Sequence, residues 1–290
     1  MGIGTQVLTL MASIALIMIA YTLASPHLKY VLILAVLFGV ITATYDFSSA
    51  KTGYINLGYT FVMGVAGYMG ALFASNIYTA LLLSAFGGFV AGVIMWALTL
   101  KLRGPYFAVA TMVLPLLVIY LARSAYPIFK GDDGISLWNY SQQLPDALVL
   151  TLATATMAML GLLNISRIGR LADAIAMDEM LVLFYGIDVR LVKFLINIIA
   201  CILAGIASYM LVAKQGLIST AVIEPVPYIV YTILASGIRP GSLALSFMMG
   251  FFLYVLDVYL AATLFQAKML TTGGLLIIVY YLIWRRYARG

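Results

Sequence analysis

The interval from Arg167 to Lys193, RIGRLADAIAMDEMLVLFYGIDVRLVK, gathers Arg167, Arg170, Asp173, Asp178, Glu179, Asp188, Arg190 and Lys193 in a chain that is otherwise almost free of charge. Charged side chains at this spacing can grip a protein surface, but they carry no pattern for bond-making chemistry. The rest of the sequence supplies none either, and no catalytic residue is assigned. No Ser/His/Asp grouping and no H-E-x-x-H is present, and Lys51-Thr52 lacks the earlier glycine that a phosphate-cradling GxxxxGK[ST] loop requires. The chain is therefore not expected to hydrolyse nucleotide by itself. With one histidine and one cysteine, a His/Cys metal site cannot be assembled from this chain alone, and no metal ligands are assigned. His27 falls at an expected helix end, where a solvated interfacial imidazole is the favoured reading. Cys201 sits in an apolar run and excludes an internal disulfide. Asp257, in FFLYVLDVYL, is the one clear carboxylate inside an apolar segment. Intramembrane carboxylates often mark coupling or pathway sites, but reach to the interface, or pairing with Lys214 or Lys268, is the favoured reading.

The elements that must position the charged interval are apolar helices. Of 290 residues, 64% are hydrophobic and 9% charged, and the mean hydropathy is +1.10; globular domains carry about 25% charged residues. This is the composition of a polytopic membrane protein. No Asp, Glu, Lys or Arg occurs from Thr52 to Leu100, a run long enough for two spans of about 20 residues each. We expect an all-α transmembrane bundle of about ten spans, forming a single domain over residues 1–290. The spans are Val7 to Ala24, Val31 to Tyr45, Tyr54 to Asn76, Ile77 to Leu100, Tyr106 to Ala122, Ala147 to Ile165, Leu191 to Ala213, a broken or half-length segment within Leu217 to Gly237, Ser242 to Ala262, and Leu270 to Trp284. Pro115 should kink the fifth span, and Glu224, Pro225 and Pro227 break the eighth, with helix expected from about Tyr228. Arg123 to Asp146, including Lys130-Gly131-Asp132-Asp133-Gly134, has no hydrophobic period and is expected as a polar loop. Gly58, Gly64, Gly67, Gly70, Gly88 and Gly92 allow close helix approach.

Ten spans put both termini on the side of the charged interval. Lys51, Lys101, Arg103, Arg167, Arg170, Arg190, Lys193, Arg239, Arg285, Arg286 and Arg289 share that side, eleven of the sixteen basic residues. By the positive-inside rule it is cytoplasmic. The formal net charge of +6 then needs no nucleic acid to explain it.

With no nucleotide site and few groups to carry a proton, the driving force is expected from another subunit pressing on a cytoplasmic segment between spans six and seven. Leu171, Ile175, Asp178 or Glu179, and Val182 fall at helical spacing, and Gly186 suits the left-handed position after a helix end. Surface-lying amphipathic helices favour Lys and Arg on their polar face. Asp173, Asp178 and Glu179 argue instead for a basic protein partner.

These residues also carry a resemblance. Gly169-Arg170, Asp178-Glu179, Gly186-Ile187 and Lys193-Phe194 resemble the cytoplasmic coupling loop of ATP-binding-cassette importer permeases, and more narrowly the M-type permease of branched-chain amino acid importers. The likeness runs from about Lys51 to Gly250, through Gly53-Tyr54-Ile55-Asn56-Leu57-Gly58-Tyr59, Leu102-Arg103-Gly104-Pro105-Tyr106-Phe107-Ala108 with Thr111, Gly131 to Ser136, Ala204-Gly205, and Ala213 to Ile218. It departs from the family pattern at Leu181 and Val182 and at Ser236 to Gly241.

The resemblance implies a prokaryotic cell-membrane protein that works with membrane lipids, a second (H-type) permease, two cytoplasmic cassette ATPases and an extracytoplasmic substrate-binding protein. This chain would bind no cofactor, and ATP and Mg would be used by the partner subunits. It further implies ATPase engagement by Asp178, Glu179 and Gly186, with Arg170 positioning the loop, and a pathway lined by Asn56, Tyr59, Tyr106 and Thr111. Tyr54 is a pathway or interfacial-belt residue. Importers of urea or short-chain amides share this architecture and stay open as an alternative, as do other amino acid importers. A stand-alone secondary transporter or channel depending on Asp257, and a non-transporting scaffold, complete the set.

Overall fold

The structure is a computed structural model that describes residues 21–100, 102, 104–237, 240–263, 273, 274, 277 and 281. The expected first span Val7 to Ala24 and last span Leu270 to Trp284 lie almost wholly outside the described residues, as do Lys101, Arg103, Arg239, Lys268 and the three terminal arginines.

Helix α1, Pro26–Thr52, opens with Pro26 in the first turn, where its missing N–H is no loss. It ends at Gly53, whose φ of 73° lets its N–H close back on the Ser49 carbonyl. At 1.5 Å per residue its 27 residues reach about 40 Å, and it is buried without interruption from Val31 to Ser48. His27 is exposed in its first turn. Its counterpart α10, Val189–Gln215, is equally long and largely buried, capped by Asp188 and terminated by Gly216. Between them in sequence come α2 (Thr60–Phe73), α3 (Ile77–Thr99), α4 (Pro105–Ser124), α5 (Tyr126–Phe129), α6 (Trp138–Gln143), α7 (Asp146–Ile165), α8 (Arg167–Met177) and α9 (Glu179–Phe184). After α10 follow α11 (Thr220–Ile223), α12 (Pro225–Gly237) and α13 (Leu243–Thr263). Helices α1, α3, α4, α7, α10 and α13 are long and apolar enough to span a membrane.

Lipid tails are as apolar as leucine, so these helices associate through close packing more than through the hydrophobic effect. The glycines set that closeness. A Cβ on Gly88 of α3 would strike the Cys201 carbonyl of α10, and one on Gly205 of α10 would lie 2.7 Å from the Ser84 carbonyl of α3. Helices α1 and α13 meet in the same way. A Cβ on Gly39 would lie 2.8 Å from the Phe247 carbonyl, and one on Gly250 would lie 2.5 Å from Thr42 Oγ1.

Three expectations need correction. The segment from Tyr54 to Asn76 is not one long helix. Residues 53–59 are irregular, and α2 has only 14 residues. Asn56 accepts the Gly58 N–H through its own side chain, and a Cβ on Gly58 would collide with the Thr111 carbonyl, so local bonds and a close approach replace helical ones. Pro115 contributes, because it cannot donate the helical N–H that the Thr111 carbonyl would otherwise receive. Helix α4 nevertheless runs through Pro115.

The eighth segment is broken as expected, but its helix starts at Pro225, not near Tyr228. The Arg123 to Asp146 loop is ordered, not featureless. It holds α5, α6 and a strand β1 (Ile135–Ser136) paired antiparallel with β2 (Leu217–Ile218). Gly134 permits this pairing with a φ of 73° against the Ile218 carbonyl. The helical bundle thus carries one two-residue strand pair among the described residues.

The bundle has two distinct ends. One gathers the end of α1, the irregular 53–59 segment, α8, α9 and the start of α10, tied by Lys51 to Asp173 at 2.6 Å. The other gathers α5, β1, α6, β2 and α11, tied by Lys214 to Asp146 at 2.6 Å and by Tyr140 to the Ala74 carbonyl at 2.8 Å.

Candidate functional site

At the first end, α8 is held rigidly to the bundle. Ser166 caps it by accepting the Gly169 N–H, and Gly169 packs so tightly on the last carbonyls of α7 that a Cβ would lie 2.6 Å from the Asn164 oxygen. Arg170 reaches back to donate to the Ile165 carbonyl at 2.6 Å, satisfying an acceptor that the helix end leaves open. Lys51, only 3% exposed, donates to the Gly169 carbonyl at 3.1 Å as well as to Asp173. Sequence reading assigned Lys51 no such role. Its one signal there was position, the last charge before the long uncharged run.

The charged interval does not form one helix. The backbone of Asp178 turns out at φ −153°, ψ 100°, and its carboxylate accepts the Leu181 N–H at 3.0 Å, starting α9 afresh. Aspartate favours this capping role over a helix interior because its short side chain competes for nearby backbone donors. Gly186 ends α9 with a φ of 74°, and none of the described residues comes within 4 Å of where a Cβ would stand, so among them backbone conformation alone asks for glycine. Glu179 pairs with Lys193 at 2.9 Å, and the Lys193 ammonium also sits 4.3 Å from the centre of the Tyr54 ring. Glu179, Lys193, Tyr54 and Trp96 share a small cleft between α9, α10 and the irregular segment.

The acidic residues are therefore engaged within the chain. Beside the exposed Arg167, Arg170, Asp173 and Asp178, the pair of short helices turns an apolar patch outward: Met177 is 88% exposed, Phe184 83%, and Met180, Leu181 and Tyr185 are exposed with them. Sequence reading missed this patch because it weighed charge, and an apolar run such as MLVLFY, residues 180–185, is ordinary inside lipid.

Three of the four pathway candidates come together at the irregular segment. Asn56 is buried and donates to the Met95 sulfur at 3.2 Å, while Thr111 Oγ1 accepts the Leu57 N–H at 3.1 Å. Tyr59 donates to the Ala200 carbonyl at 3.4 Å and meets the Tyr45 ring edge-on at 5.3 Å. These contacts hold the segment against α3, α4, α10 and α1. Tyr106 stands apart, 77% exposed on the outer face of α4. Asp257 accepts from Tyr231 of α12 at 2.5 Å, and Lys214 is paired with Asp146 instead.

The other end holds a cavity of about 430 Å³ between α4 and α11. Arg123 Nε donates to Asp132 at 3.0 Å, and the Thr220 hydroxyl donates to the same carboxylate oxygen. The Thr220 bond first, then the Arg123 guanidinium, hold the Asp132 carboxyl below its ordinary value of 3.8. Glu224 completes the polar rim and has no ion pair or hydrogen bond among the described residues. Among the described residues, no three His, Cys, Asp or Glu side chains gather as a metal site would need.

A bundle of long apolar helices interrupted by two half-length segments, α2 and α12, is the architecture of a membrane transport protein, where broken helices surround a pathway. The chain belongs to the family described as the branched-chain amino acid transport system / permease component, which matches residues 27–280. Membership makes it a multi-pass permease component of an ATP-binding-cassette transporter that works with partner subunits. No curated protein and no solved structure matches the chain.

Proposed function

We propose that the chain is a single transmembrane domain forming one half of the pathway of a prokaryotic importer of leucine, isoleucine and valine. It works beside an H-type permease and receives substrate from an extracytoplasmic binding protein. Two cytoplasmic cassette ATPases, using ATP and Mg, supply the force, and this chain has no ATPase site of its own. Both termini and the α8–α9 pair lie on the cytoplasmic side.

The observation that carries this reading is the α8–α9 pair itself. It is clamped to α1 through Lys51 and to the irregular segment through Glu179, Lys193 and Tyr54, and it presents Met177, Phe184 and Tyr185 outward. An ATPase groove that receives this apolar knob moves α9, and the Lys193 junction passes the motion to the segment bearing Asn56 and Tyr59. Asp178 and Gly186 act here by shaping the knob, Arg170 by seating it, and Glu179 by linking it to the bundle.

The test is co-purification of the tagged chain in mild detergent. The wild type should bring a second permease and cassette ATPases, and Phe184→Asp should lose the ATPases while keeping the second permease. If the wild type emerges alone yet moves solute in liposomes, the importer reading fails.

A further inference from the structure

We propose that the cavity between α4 and α11 receives the substrate as a zwitterionic α-amino acid with an apolar side chain. Arg123 takes the carboxylate, Glu224 takes the ammonium, and Met112, Leu116 and Ile119 enclose the hydrocarbon. The inference rests on the amino acid import reading above and assigns that reading a site.

The stripe that builds it is helical. Met112, Leu116, Ile119 and Arg123 stand at i, i+4, i+7 and i+11 on α4, so three apolar side chains and one guanidinium line the same face and open into one cavity. Its volume of about 430 Å³ suits a small molecule. The charges are arranged for a dipolar guest. Asp132 occupies Arg123 only at Nε, which leaves the forked terminal N–H groups to donate to a planar carboxylate. The Thr220 hydroxyl, donating to the Asp132 oxygen that Arg123 uses, fixes the near side of that fork. Glu224 lines the same cavity with no partner among the described residues, the rim charge still to be answered. An ammonium answers it, and a zwitterion answers both ends at once. A neutral amide or urea would leave Glu224 unmatched.

The test uses a diazirine analogue of leucine on the full chain, purified with its partner subunits. Labelling should map to residues of α4 or α11, and free leucine should compete it away. Neither 4-methylpentanoate, which lacks the ammonium, nor urea should compete. Glu224→Gln alters an exposed side chain with no bond among the described residues, so the fold should survive; labelling should fall about tenfold or more, the loss expected when a charge-assisted hydrogen bond goes. Arg123→Lys should retain part of the labelling that Arg123→Gln loses.

Label placed elsewhere in the chain, or unchanged labelling in Glu224→Gln, overturns the site. Uptake by the wild-type importer in proteoliposomes separates the two claims. Leucine uptake together with misplaced label refutes the site alone, whereas uptake of urea or an amide without leucine refutes the amino acid reading itself.

Discussion

Lys51 and Asp173 form a lopsided pair: the ammonium is 3% exposed and the carboxylate side chain 52%. Removing the two partners should therefore have unequal effects. Asp173→Ala strands a buried cation with one carbonyl acceptor and should lower thermal stability in detergent by about 1–3 kcal/mol. Lys51→Met returns Asp173 to water and fills the same space with apolar atoms, so its effect should be smaller. Asp132 offers a pH test. Its folded pKa is depressed below 3.8, so its contribution is present above that value and is lost as the pH falls through the lower folded value. The stability difference between wild type and Asp132→Asn should hold steady above about pH 4 and shrink in stronger acid, as followed by unfolding temperature. Neither pairing was legible from sequence, since Lys51 lies 122 residues from Asp173 and Thr220 lies 88 from Asp132. Separation along the chain hides such contacts, whereas the stop at Gly186 is local and was readable.

At the scale of elements, length and hydropathy exposed the long helices because lipid imposes about 20 apolar residues per span. Helix α12 was recognisable as short from Glu224, Pro225 and Pro227. Helix α2 was not, because besides the local bond from Gly58 to the Asn56 side chain, residues 54–59 are held irregular by contacts with α4 and α10 that no local pattern encodes. The glycine pattern did announce close packing, and the structure supplies the partners. Gly88→Val should push α3 from α10 against the Cys201 carbonyl at a cost of roughly 1–3 kcal/mol, seen as a lower unfolding temperature. Gly186→Ala, which meets no neighbour, should be milder at about 1–2 kcal/mol, because only the left-handed conformation opposes it.

Across the whole molecule, the α8–α9 end and the cavity end are joined by the irregular segment and by α4, which meets that segment at Thr111 and carries Arg123 at its far end. Lys193 stands at the near end of this line with its side chain 9% exposed, held by a carboxylate and a ring face. Lys193→Met should spare ATPase binding and hydrolysis while abolishing leucine uptake in proteoliposomes, which separates force generation from its delivery. The same residue has a consequence for timing. If α9 were drawn away by a small amount, the ammonium would lose Glu179 without reaching water, so a halfway position is the least comfortable of all. On the coupling proposed above, such a junction would act as a toggle: it would hold against thermal jostling from a loosely attached ATPase, then yield in one stroke, so that small fluctuations leak no solute.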